Sequence, residues 1–258
     1  MDSIFSLEGK AVVLTGGFGM LGRSMCGALL NFGANLVVMD CVEEGPGDLG
    51  QAAYIRCDLA SSASARDAFR RANERFGKLD VLINNAAYGG GAGGVKAPYQ
   101  VEEITDEAWN LGLDGTLGIV FRCVREAVPY LEKSRGSIVN IASMYGMIAP
   151  DHGMYGDSGS NSPPAYGAGK AAVLQLTRYL ASYLAPRGIR VNSITPGPFP
   201  FVGPDFDTAF LEKLQAKTML GRTGRAEELS GALVLLASGA SSYMTGSNIV
   251  VDGGMTAW

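Results

Sequence analysis

Short runs of Val, Ile and Leu alternate along the chain with longer stretches whose apolar residues recur at helical spacing. The runs at 11–15, 35–40, 79–84, 137–142, 189–195 and 248–251 are apolar on both faces, as strands of a covered parallel sheet are. A further strand-like run occupies 53–58. Stretches at 21–32, 63–76, 109–131, 164–184 and 226–238 carry the helical period, and a shorter one occupies 205–217. Strands each followed by a helix predict right-handed crossovers. The expected fold is α/β: one doubly wound parallel sheet of Rossmann type, helices on both faces, in a single domain over 1–258. Two stretches break the rhythm. Residues 88–99 contain a Gly-Gly-Gly-Ala-Gly-Gly run, and 147–164 is rich in Gly, Ser, Pro and Asp. Loops this long inside a compact domain tend to be functional.

Composition narrows the class. With 258 residues, 47% hydrophobic and 18% charged, the chain can bury a large core. A net charge of −4, a pI near 5.1 and the lack of a basic block argue against nucleic acid or an anionic membrane as partner. Cys26, Cys41, Cys57 and Cys123 lack C-x-x-C spacing and His152 is the sole histidine, so no metal site is expected and the thiols read as reduced. The N-terminal residues show no signal-peptide pattern, and no apolar run reaches the roughly 18 residues of a membrane span. These features predict a soluble cytoplasmic protein with a small-molecule substrate.

Thr15-Gly16-Gly17-Phe18-Gly19-Met20-Leu21-Gly22 follows a strand and opens a helix. Glycine permits a sharp turn and close backbone approach to a pyrophosphate, and the helix start offers free N–H groups to the anion. A glycine turn alone could be structural. The strand before it, the helix after it and an acid at the end of the next strand favour a dinucleotide. That acid is Asp40, which can accept both ribose hydroxyls of NAD and would repel the 2′-phosphate of NADP; the alternative is a solvated turn residue. Asp58 ends the 53–58 run and suits the adenine amino group, or else caps the following helix. Asn85, Ala86 and Ala87 follow a strand and could lie against the adenosine ribose, or simply make a tight turn. The expected cofactor is NAD, contacted by Gly16, Phe18, Gly19, Met20, Leu21, Asp40, Asp58, Leu59, Asn85, Ala86 and Ala87.

Tyr166 and Lys170 stand at i and i+4, on one helix face. A phenol ordinarily titrates near ~10. An ammonium one turn away favours the phenolate and would lower that value. Ser143 ends the preceding strand, where its hydroxyl could hold the substrate oxygen that Tyr166 protonates or deprotonates. Taken singly, Y-x-x-x-K is common, and a surface tyrosine beside a salt-bridged lysine is the plainer reading.

The combination is far more specific. Gly16 to Gly22, Asn84-Asn85-Ala86, Ser143, Tyr166 with Lys170, Pro196-Gly197 and the tail from Tyr243 to Gly254 occur in the order and context of the short-chain dehydrogenase/reductase family, which this sequence resembles over essentially its whole length. The resemblance implies Ser143, Tyr166 and Lys170 as the catalytic set, with hydride transfer between a substrate carbon and nicotinamide C4. It places Tyr166 and Lys170 against the cofactor, with Lys170 on the nicotinamide ribose, and Pro196, Gly197 and Phe199 by the carboxamide. It also implies a homo-oligomer, a tetramer, with 251–258 between subunits. The sequence departs from the pattern at three places. Met20 stands where short members have glycine. Thr116 stands where many carry an asparagine of a water-mediated proton relay; its hydroxyl could hold a water instead. Ser143 and Tyr166 are 23 positions apart, far more than in most short members.

The additional segment, 147–164, carries His152, Tyr155, Asp157 and Asn161. His152, Tyr155 and Asn161 are candidate contacts to a hydroxylated substrate, unless the loop packs on a neighbouring subunit. Residues 198–217 form a candidate lid, with Phe199 and Phe201 covering nicotinamide or stapling the loop, and 89–94 a flexible rim. The expected activity is reversible NAD-dependent oxidation of a secondary alcohol to a ketone or lactone, with sugars, sugar acids and polyols as candidates. The alternatives are an NADPH-dependent carbonyl reductase, opposed by Asp40, and a catalytically silent dinucleotide-sensing protein, opposed by the intact Ser143, Tyr166 and Lys170. The glycine spacing also suggests a sugar-nucleotide epimerase, for which the chain is short.

Overall fold

The computed structural model describes residues 4–43, 50–88, 100–155, 161–200 and 207–258. Strands β1 (Ala11–Thr15), β2 (Asn35–Asp40), β3 (Ala53–Arg56), β4 (Val81–Asn84), β5 (Ser137–Ile141), β6 (Arg190–Pro196) and β7 (Asn248–Val251) form one sheet. Its order is β3-β2-β1-β4-β5-β6-β7, and every neighbouring pair is parallel. The helices are α1 (Met20–Asn31), α2 (Ser62–Phe76), α3 (Asp106–Leu113), α4 (Ile119–Ser134), α5 (Pro164–Leu184), α6 (Thr208–Ala216) and α7 (Ser230–Ala237).

Strand residues point alternately to the two faces, so a strand buried on both sides feeds two cores. Val13, Val37, Leu82, Ile138 and Val191 pack against α2, α4 and α5. Val12, Leu14, Leu36, Val38, Ile83 and Ile194 pack against α1 and α7. The doubly wound Rossmann arrangement expected from the sequence is therefore present. The chain winds outward from β1 to β3, then crosses to β4 on the other side. The β1–β4 boundary is thus the switch point, outside whose carboxyl edge ligand crevices form.

The helix predicted over 109–131 is interrupted. A π-helical turn at Asp114–Gly118 separates α3 from α4 and carries Thr116. Two glycines vacate the space it needs. A Cβ on Gly115 would overlap the Tyr88 carbonyl, and one on Gly118 would overlap the Asp114 carboxylate. The helix expected over 205–217 begins at Thr208, where Asp207 Oδ1 accepts from the N–H groups of Ala209 (2.9 Å) and Phe210 (3.2 Å). The 89–94 rim, Asp157 and Phe201 lie outside the described residues.

Candidate active site

A cleft of about 630 Å³ opens at the carboxyl edge of the sheet. It runs from the glycine turn and Asp40 past Asp58, Leu59 and Asn85 to Ser143, Tyr166, Lys170, Gly197 and Phe199. The turn between β1 and α1 is built by close approach. Gly16 has φ +66°, and a Cβ there would sit 2.7 Å from the Ala86 Cα. Asn85 Nδ2 donates to the carbonyls of Thr15 (3.1 Å) and Gly16 (2.8 Å), lacing the two sides of the switch point together. Helix α1 starts at Gly19 with no capping side chain and no acid in its first turn, which leaves its N–H groups to an anion. Asp40 is held at the end of β2: Oδ2 accepts from Phe18 N–H (3.0 Å) and Oδ1 from Cys41 N–H (2.8 Å). Among the described residues lining the cleft, Lys170 is the sole lysine or arginine. A pyrophosphate cradle flanked by a carboxylate and an elongated cleft fits a dinucleotide, whose volume class matches.

At the other end, Ser143 follows β5, its Oγ accepts from the Tyr145 N–H at 3.2 Å, and its hydroxyl lies on the Tyr166 side of the cleft. The short turn after Ser143 is pressed onto α5, where a Cβ on Gly146 would lie 2.7 Å from the Lys170 carbonyl carbon. Lys170 is buried. Its Nζ donates to the Ile141 carbonyl at 2.7 Å and stands 5.8 Å from the centroid of the Tyr166 ring. Burial draws this lysine from 10.5 down to about 8. Burial also pushes the Tyr166 phenol above its ordinary value, against a smaller lowering by the nearby Ser143 hydroxyl. This reverses the direction expected from the i, i+4 pairing: desolvation of the buried phenolate sets the sign. The arrangement holds a neutral phenol, a proton donor, beside a serine hydroxyl.

Gly16, Gly19, Met20, Leu21, Asp40, Asp58, Leu59, Asn85, Ala86, Ala87, Pro196, Gly197 and Phe199 all line the cleft together with Ser143, Tyr166 and Lys170. Phe18 does not. Its ring packs 4.9 Å from that of Tyr54, and it reaches the site through its N–H on Asp40. Thr116 is fully buried behind α5 rather than in the cleft. Its Oγ1 donates to the Gly112 carbonyl at 2.8 Å, and a Cβ on Gly169 would overlap that oxygen. The hydroxyl is thus occupied by the turn that carries it. His152 Nδ1 and Asn161 Oδ1 pair at 2.8 Å on the surface, and the Tyr155 ring packs at a tilt against Phe210 of α6 with its hydroxyl 3.3 Å from that of Tyr145. None of these three lines the cleft. Lys217 pairs with Asp151 at 2.6 Å and Lys213 Nζ donates to the Met154 carbonyl at 3.2 Å, so the 151–155 segment is clipped to α6. Cys41, Cys57, Tyr88, Ile119 and Ile141 line the cleft without having been singled out as contacts. Ile141 ends the strand before Ser143, and Cys41, Cys57 and Tyr88 adjoin Asp40, Asp58 and Ala87, which was a usable signal. Ile119 comes from a helix across the cleft and had none.

A model of the short-chain dehydrogenases, described as enoyl-(acyl carrier protein) reductase, matches residues 20–256. The chain belongs to the short-chain dehydrogenase/reductase family. It is an oxidoreductase of a family that binds a nicotinamide dinucleotide. The rhamnolipids biosynthesis 3-oxoacyl-[acyl-carrier-protein] reductase of Pseudomonas aeruginosa is 32% identical, over 98% of this chain and 99% of its own. The 2,5-dichloro-2,5-cyclohexadiene-1,4-diol dehydrogenase of Sphingobium indicum is 33% identical over 97% and 98%. A short-chain dehydrogenase from Leptospira borgpetersenii with bound NAD+ superposes with TM-score 0.86 at 30% identity, covering 98% of this chain and 95% of that one. The RhlG/NADP complex from Pseudomonas aeruginosa superposes with TM-score 0.82 at 30% identity, covering 99% and 100%. Among the described residues, no helix is long and apolar enough to cross a membrane, and no group of three or more His, Cys, Asp or Glu could hold a metal.

Proposed function

We propose that this protein is an NAD-dependent dehydrogenase that reversibly oxidises a secondary alcohol to a ketone, with Tyr166 as the acid/base. The observation that carries the cofactor choice is Asp40. Its carboxylate is fixed by two backbone N–H groups at the lip of the glycine turn, and the described cleft lining offers no cation there to receive a 2′-phosphate. When bound, the oxidised cofactor would supply the hydride acceptor, held by the residues that line the cleft from the glycine turn to Lys170. Ser143 donates to the substrate oxygen and orients it. Tyr166 takes the hydroxyl proton in oxidation and returns it in reduction. Lys170, an ammonium at neutral pH with its Nζ 5.8 Å from the Tyr166 ring centroid, favours the phenolate by its charge.

Two relatives point to different natural directions, since one is named a reductase and the other a dehydrogenase of a cyclic diol. The diol dehydrogenase supports a hydroxylated substrate. The pairing of His152 with Asn161 and of Tyr155 with Tyr145 lends that reading no support of its own, because those groups satisfy one another. The test is initial-rate turnover of a panel of cyclic alcohols, polyols, sugar acids and hydroxy acids with NAD+ and with NADP+. The proposal expects reduction of NAD+ by at least one secondary alcohol at a rate well above that of NADP+. Faster turnover with NADP+ on the same alcohol would overturn the cofactor assignment.

A further inference from the structure

The adenosine end of the cleft has two walls. One is the segment Asp58–Leu59 after β3, the other the segment Asn85–Tyr88 after β4. A single guanidinium, that of Arg122 in the first turn of α4, bonds both. Nε donates to the Leu59 carbonyl at 2.8 Å. The two terminal nitrogens clasp the Asp114 carboxylate at 2.7 and 2.8 Å, and one of them also lies 3.2 Å from the Tyr88 hydroxyl. The Tyr88 hydroxyl in turn donates to Asp114, and Tyr88 N–H donates to the Gly115 carbonyl at 3.1 Å. The Arg122 side chain is 13% exposed, so this is no loose surface pair. Only a planar fork can serve three partners in these directions at once.

The bond to Leu59 has a consequence one residue away. The carbonyl of Leu59 and the N–H of Ala60 belong to one planar peptide and point in opposite directions. That N–H donates to Asp58 Oδ1 at 2.9 Å. Fixing the carbonyl therefore fixes the amide that orients the Asp58 carboxylate in the cleft.

We propose that Arg122 is a positioning residue for adenine recognition, acting on Asp58 through the Leu59–Ala60 peptide and on the facing wall through Tyr88. The inference rests on the reading of the cleft as an NAD site with Asp58 at the adenine amino group. It assigns to the Asp114–Arg122 pair a part in cofactor choice in addition to helix packing. Lysine at 122 keeps the charge opposite Asp114 but cannot hold Leu59, Asp114 and Tyr88 together.

The experiment is fluorescence titration with NADH and with its hypoxanthine analogue, in which a carbonyl oxygen replaces the adenine amino group. A carboxylate that accepts from the amino group is repelled by the carbonyl. A hydrogen bond to a charged group is worth enough for a preference of about tenfold or more in the unaltered protein. In Arg122→Lys and Arg122→Met that preference falls to about threefold or less, as it does in Asp58→Asn, while NADH itself binds about tenfold more weakly. If both Arg122 variants melt cooperatively and keep the full preference while Asp58→Asn loses it, Arg122 is merely structural and the inference is overturned with the cofactor reading intact. Equal binding of the two dinucleotides by the unaltered protein, unchanged in Asp58→Asn, would overturn the placement of adenine at Asp58 and the inference with it.

Discussion

Lys170 is a charge kept where the fold alone would not keep one, and its removal makes a quantitative prediction. The drop from 10.5 to about 8 caused by burial corresponds to about 3 kcal/mol against the ammonium in the folded state. Lys170→Met removes that penalty with a side chain of similar length. It also strips the Ile141 carbonyl of its 2.7 Å donor, which costs about 1–3 kcal/mol for a buried group left unpaired. The balance is a gain of about 1 kcal/mol at pH 7. For a chain of this size that raises Tm by roughly 2–4 °C. Turnover should be lost, since the charge that favours the phenolate is gone. The sign of the pH dependence follows from the direction of the shift. The folded value lies below the unfolded one, so the whole penalty is present below about pH 8 and is relieved as pH rises towards 10.5. Stability of the unaltered protein relative to Lys170→Met therefore climbs across that window, and the order of the two melting temperatures inverts at its upper end. The assay is calorimetry of both proteins without cofactor, at one protein concentration, at pH 7 and pH 10. A variant that melts below the parent at pH 7 by the same margin as at pH 10 would refute the reasoning.

Other outcomes follow from single contacts. Asp40→Ala should weaken NADH binding and narrow the gap to NADPH; an unchanged ratio of the two dissociation constants would show that the carboxylate does not read the 2′ position. Gly169→Ala should lower stability by about 1–3 kcal/mol, because the new Cβ overlaps Thr116 Oγ1, and Thr116→Ala should recover part of that loss in the double variant; additive losses in thermal melts would contradict the contact. The raised Tyr166 phenol predicts that alcohol oxidation speeds up with pH and ketone reduction slows; a pH–rate profile falling in the alkaline direction for oxidation would contradict it. The exposed Met219, Leu220 and Trp258 beside the chain end suit a homotetramer, and light scattering at micromolar concentration that returns a monomer would exclude it.

The layered sheet was readable because strands buried on both faces leave unbroken Val, Ile and Leu runs, and the two-sided core sorts those runs residue by residue. The site was readable where one local feature needs one residue type. Gly16 at positive φ against Ala86, Asp40 at a strand end and Tyr166 with Lys170 on a helix face are of this kind. What could not be read depends on residues brought together from distant segments. The π turn interrupts a helical pattern that still shows its period on both sides, and only the spacing of Gly112, Gly115 and Gly118 hints at it. Arg122 looks like an ordinary surface cation of an amphipathic helix until Leu59 and Tyr88 arrive from two other loops. The direction of the Tyr166 shift is illegible in the sequence for the same reason, since the i, i+4 spacing shows the lysine but not the burial of the phenol.

The central claim is that Tyr166 moves the proton in an NAD-dependent oxidation. Tyr166→Phe keeps the ring and removes only the hydroxyl. With NAD+ and the best alcohol of the panel, kcat should fall by about 100-fold or more, in keeping with general acid–base catalysis. NADH should still bind within about tenfold of the parent affinity, because a lost hydroxyl contact is worth about 0.5–1.5 kcal/mol. Turnover near that of the parent would place the acid/base at another residue and contradict the account.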